Sequence, residues 1–177
     1  MERAYDLRPV TLERLDEAEA SWRASMGDDL FDMEFAQPYG YARQAAREEV
    51  TLSSLDSANY SELVNLSSGE TVALVDLVQA HQGRQMKLLH FHFGPQLWDY
   101  DAGTAGTVPD RPRDALIAIM AHLLEHARSS ATITGVRVYG RSEEHHRILT
   151  QVAKSWPSSG GVWRAAMKGR WLEFLPV

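Results

Sequence analysis

"SELVNLSSGETVALVDLVQAHQGRQMKLLHFHFG", residues 61–94, contains three aliphatic, β-branched stretches divided by turn signals. "SELVNLSS" (61–68) and "ETVALVDLVQA" (70–80) have strand spacing and are separated by Ser-Gly; "QGR" (82–84) then leads into "QMKLLHFHFG" (85–94). Three consecutive strands with short connections make an antiparallel meander. The period then changes. In "RPRDALIAIMAHLLEHA" (111–127), Leu116, Ile117, Ile119, Met120, Leu123, Leu124 and Ala127 have the spacing of one buried helical face. Asp110 suits the N-cap of this helix, and Pro112 its first turn, where a missing N–H costs nothing. "ATITGVRVYG" (131–140) returns to strand spacing and joins the meander by a crossover, so the sheet is mixed.

Outward from this centre, "YDLRPVT" (5–11) reads as a short first strand, and a helix follows with Thr11 as cap and Leu12, Leu15, Ala18, Ala20 and Trp22 in loose helical spacing. "MGDDLFDMEFAQPYGY" (26–41) breaks that helix at Gly27 and carries no clear period, while "ARQAAREEV" (42–50) reads as a second helix. "SEEHHRILTQVAKSW" (142–156) is a further helix, starting at Ser142 with acids in its first turn. "GVWRAAMKGRWLEFLPV" (161–177) reads as a hairpin turning at Lys168-Gly169. The expectation is one α/β (α+β) domain over residues 1–177, a central mixed, twisted sheet with helices on both faces.

The composition narrows the function. The chain has no cysteine, which excludes disulfides, thiolate metal sites and a cysteine nucleophile. No apolar run approaches a membrane span, and the charged N-terminus "MERAYDLRPV" lacks a signal peptide's apolar core, so a cytoplasmic protein is expected. A net charge of −6 speaks against nucleic acid as a partner. The charge is unevenly spread: residues 1–36 carry ten acids against four arginines, and residues 128–170 carry eight bases against two acids. The two ends are either solvated faces or attractors for a cationic and a phosphorylated substrate respectively.

Several side chains are candidates for chemistry. His90 and His92 project from one face of their strand, as two metal ligands, as a general base beside a cleft, or as a hydrogen-bonded pair on a partly covered sheet. No third metal ligand is fixed by spacing. His122 and His126 lie one helical turn apart on the flank of the apolar stripe and read as solvent-facing, and the adjacent His145 and His146 read as surface residues. Trp22, Phe31, Phe35, Tyr39 and Tyr41 either pack a core or line a pocket. "DYDAGTAGTVPD" (99–110) has glycines but no phosphate-loop motif, and is either a mobile gate or an inert insertion. At the helix that follows, dipole and free amides suit an anion, and Arg111 and Arg113 add two guanidinium groups.

The order strand, two helices, three-stranded meander, helix, strand, helix, hairpin resembles the GNAT superfamily of N-acyltransferases over nearly the whole chain. "SSGETVALVDLV" is similar to that family's second-to-third strand turn, "LLEHARSSATITGVRVYG" to its central helix and fifth strand, and "VWRAAMKGRWLEFLPV" to its closing hairpin. The sequence departs from the family twice: Asp114, Ala115 and Leu116 stand where its pyrophosphate-binding glycines would be, and "HHRILTQVAK" lacks its tyrosine acid. The resemblance implies transfer of an acyl group from acetyl-coenzyme A, or another acyl-coenzyme A, to a small-molecule or protein amine. It implies backbone amides near Phe91 and Phe93 as donors to the thioester carbonyl, with phosphate held by Arg111 and Arg113. His92, and after it His90, is then the candidate base, and Asp28, Asp29 and Asp32 attract the amine. The alternatives are a non-catalytic GNAT-like protein binding a partner or a different ligand, and a homodimeric module pairing through its terminal hairpin.

Overall fold

The computed structural model describes residues 4–50, 58–80, 82–98, 110–156 and 162–177. Its elements run β1 (Tyr5–Pro9), α1 (Leu12–Met26), α2 (Asp28–Arg47), β2 (Ala58–Asn65), β3 (Thr71–Ala80), β4 (Gln85–Phe93), α3 (Asp110–Ser129), β5 (Gly135–Tyr139), α4 (Glu143–Ser155), β6 (Trp163–Lys168) and β7 (Trp171–Pro176). A 3-10 turn, Pro95–Leu97, follows β4. The strands form one sheet in the order β1-β2-β3-β4-β5-β7-β6, with β2–β4 the expected antiparallel meander. Among the described pairings only β4 with β5 is parallel, as the helical crossover through α3 requires. The terminal hairpin turns through Gly169 and Arg170; Gly169 takes φ +60°, which a side chain would resist.

The sheet divides two apolar layers. On one face α3 and α4 pack on Leu88, Phe91, Val136, Val138 and Phe174. On the other, α1 and α2 close over Tyr60 and Leu74. Thr11 caps α1 by accepting the Arg14 N–H at 3.2 Å, and Ser142 caps α4 by accepting the His145 N–H at 3.0 Å. Both caps are as expected.

Three details differ from expectation. The stretch without clear period is helical: α2 begins straight after Gly27 and buries Phe31, Phe35, Pro38, Tyr39, Ala42 and Ala45 along one side. Its apolar stripe outweighs Pro38, which deprives the Glu34 carbonyl of an intrahelical donor. Asp110 is the first residue of α3, not its cap. Ile117 is exposed, while the other six apolar positions assigned to that face of α3 are buried. The 99–110 gate or insertion, apart from Asp110, lies outside the described residues.

Candidate functional site

β4 and β5 run together only from Gln85↔Gly135 to Leu88↔Val138. β5 stops at Tyr139, whereas β4 continues to Phe93. Between these strands the sheet opens. On the opposite side of β4 the register with β3 shifts between Asp76↔His90 and Leu77↔Leu88, which leaves Leu89 as the extra residue of a β-bulge. Beyond the bulge the Gly94 N–H donates to Val72 O, so ladder alternation turns the backbone of Phe91 and Phe93 away from β3 and toward the opening. The Phe93 carbonyl is taken by the Trp98 indole N–H at 2.8 Å. The Phe91 N–H faces the gap that β5 has left.

His90 and His92 project to the α2 side of β4, into a groove of about 260 Å³ shared with Gln37, Tyr41, Tyr60 and Arg141. Their rings lie 6.0 Å apart. A second hollow of about 420 Å³, lined by Gln44, Glu48 and Val50, adjoins it through Tyr41, Tyr60 and Asp76. The two histidines have different surroundings. His90 is held at both nitrogens, Nδ1 to Asp76 Oδ2 and Nε2 to Arg141 Nη1, each at 2.9 Å. A guanidinium can only donate, so Nε2 is the acceptor and Nδ1 carries the proton given to Asp76. His90 is therefore a neutral, oriented ring with no free lone pair.

His92 has no hydrogen-bond partner for its ring among the described residues. Burial lowers its imidazole to about 4, with His90, His145 and Arg141 adding to the effect. It is neutral around pH 7, well below the near-neutral titration expected of a histidine base. Burial also raises the Asp76 carboxyl, an effect only partly offset by the hydrogen bond from His90. Asp76 Oδ1 is buried without a partner among the described residues.

His145 and His146, expected at the surface, are half-buried, and each Nδ1 is buried without a partner among the described residues. His145 lies against Phe91, ring centres 4.1 Å apart, and burial lowers its imidazole too. His122 is half-buried, its Nε2 3.6 Å from Asp6 Oδ1. Of the five aromatic candidates, Trp22, Phe31, Phe35 and Tyr39 pack the smaller core, while Tyr41 lines the groove. No cluster of three or more His, Asp or Glu side chains among the described residues is placed to hold a metal ion.

The remaining candidates lie elsewhere. Asp28 and Asp32 accept from the Arg23 guanidinium at 3.1 and 2.6 Å, and Asp29 is exposed beside them; none lines the groove that holds His92. Arg113 reaches Asp114 at 3.3 Å, and the charges of Asp114 and Arg111 act on the Tyr5 hydroxyl of β1. The first turn of α3 thus sits by the far edge strand of the sheet, not beside His92. Ala115 and Leu116 are wholly buried, and Pro112 has no N–H to offer a phosphate. Asp76 and Arg141 were missed from sequence. A lone acid inside the apolar run "ETVALVDLVQA" was the available signal for the first, since a buried carboxylate needs a partner.

No family model matches the sequence, and no curated protein matches it. Solved structures do. A GCN5-related N-acetyltransferase from Brucella melitensis superposes with a TM-score of 0.55 at 12% identity, covering 98% of this chain and 76% of that one. A spermidine N-acetyltransferase SpeG chimera from Vibrio cholerae and hSSAT gives 0.54 at 10% identity, over 98% of this chain and 96% of that one. AtaTR bound with AcCoA gives 0.51 at 13% identity, over 98% and 93%. At such identities the likeness is one of architecture. The chain has a GNAT-like fold, a mixed open sheet flanked by helices.

Proposed function

We propose that the protein is an acyl-coenzyme A-dependent N-acyltransferase acting on an amine. The observation that carries this reading is the opening between β4 and β5, with the Phe91 N–H turned into it. A fixed backbone donor in a gap between two strands suits a thioester carbonyl, whose oxygen gains charge as an amine attacks. Acyl-coenzyme A supplies the activated acyl group; the chain supplies orientation and proton transfer. His92, neutral and unpaired in the adjoining groove, accepts the proton that the attacking nitrogen releases. His90 does not compete, because both its nitrogens are engaged. Phosphate falls to side chains, Arg111 first, since the backbone cradle of glycines is replaced by buried Ala115 and Leu116. The likeness to AtaTR bound with AcCoA supports a coenzyme A thioester as the donor.

Isothermal titration with acetyl-coenzyme A and longer acyl-coenzyme A esters tests the reading. Binding of at least one ester is expected, and it should weaken by about tenfold or more when Arg111 and Arg113 are both changed to Ala. With that donor and an accepted amine, His92→Gln should keep the fold and lose roughly 10²–10⁴ in turnover. If the protein binds none of the esters, acyl transfer is the wrong chemistry for this fold.

A further inference from the structure

The charges around the groove do not match a purely cationic acceptor. None of the acids of α1 and α2 lines the groove, and several are engaged elsewhere: Arg23 holds Glu19, Asp28 and Asp32, and Arg43 holds Asp16 and Glu19. The charge presented at the groove beside His92 is Arg141, on the link between β5 and α4. Its Nη1 donates to His90 Nε2, a neutral acceptor that fixes the guanidinium without neutralising it. The acid that lines that groove, Asp76, is committed through Oδ2 to the far side of the same ring. No carboxylate among the described residues pairs with Arg141. Three residues from β3, β4 and the β5–α4 link are thus used to hold a cation at a set place on the wall of the groove.

We infer that Arg141 binds a carboxylate of the acceptor, which is therefore an amino acid or a close amino-carboxylate analogue. A guanidinium held at one Nη keeps further N–H groups for a planar anion, and a carboxylate matches that fork. His92 lines the same groove as Arg141, so a small molecule that carries both an amine and a carboxylate can engage both at once. Asp76 and His90 act as positioning residues. The inference deepens the acyl-transfer reading, which supplies the role of the amine, but its test needs no acyl donor.

The experiment follows the histidine ring and arginine side-chain NMR signals while the free α-amino acids are titrated one by one, each beside its α-amide. At least one acid should shift the His92 and Arg141 signals, with its amide at least tenfold weaker. Arg141→Gln should erase the preference for acid over amide; Arg141 is exposed, so this variant keeps the fold. Arg141→Lys should restore part of it, and His90→Phe, which keeps the charge but frees its anchor, should reduce it several-fold. Amides that bind as well as acids, an unchanged preference in Arg141→Gln, or no shift with any acid would each overturn the inference. Failure of coenzyme A esters to bind would count against acyl transfer alone.

Discussion

At the residue scale, His92 carries a cost that can be measured apart from activity. Its folded titration lies at about 4 against an ordinary 6.5, because burial disfavours the charged ring. Between these values the unfolded chain binds a proton that the folded chain refuses, so stability falls as pH drops through that window. The contribution is fully present above about pH 6.5 and is bounded by roughly 3 kcal/mol. His92→Gln has no such titration. Urea midpoints at pH 7 and pH 4.5 should therefore lie closer together in the variant than in the parent, although His145, shifted the same way, preserves part of the difference. An unchanged difference would place His92 in water. The His-x-His pattern was legible because strand alternation is local. Its consequences were not: the Asp76–His90–Arg141 chain joins residues from two strands and a link, and only register brings them together.

At the element scale, β4 shows both kinds of legibility. In "MKLLHFHF" the apolar positions switch phase, from Met86 and Leu88 to Leu89, Phe91 and Phe93. That switch is the bulge, and it keeps Phe91 and Phe93 on the face where Met86 and Leu88 already pack. The meander, crossover and hairpin were readable for the same reason, since period and turn residues are written locally. α2 was hidden because Gly27, Pro38 and Gly40 interrupt a period that tertiary burial of Phe31, Phe35 and Tyr39 nevertheless enforces. The end of β4 depends on a close approach. A Cβ at Gly94 would stand 2.6 Å from the Trp22 ring, and Trp22 is itself fixed by its indole N–H to Thr71 O at 3.0 Å. Gly94→Ala should cost about 1–3 kcal/mol, read as a lower urea midpoint with an unchanged slope. An unaffected midpoint would mean that Trp22 moves freely.

At the scale of the whole molecule, the sheet separates a larger core under α3 and α4 from a smaller one under α1 and α2. The smaller layer is joined to the sheet by Trp22 and by Arg14, whose guanidinium reaches Glu62, Thr71 Oγ1 and Gly69 O, with Thr71 also donating to Glu62. Because the groove lies between α2 and the sheet, any molecule entering it would reach His92 beneath the smaller layer. Such a layer opens at lower free energy than the whole protein. Native-state amide exchange should then show α1 and α2 exchanging through an opening that spares α3, β3 and β4. Phe31, wholly buried, packs within that layer against Phe35, Tyr39 and the Arg23 guanidinium. Phe31→Ala removes roughly 3–5 kcal/mol of packing. If the layers are separable, amides of α1 and α2 should lose protection by most of that amount even where the slowest amides of α3 still exchange by a local or intermediate opening. If α1, α2 and α3 lose protection together at every denaturant concentration, the two layers unfold as one unit, and access to the groove must come from side-chain motion at its mouth rather than from α2.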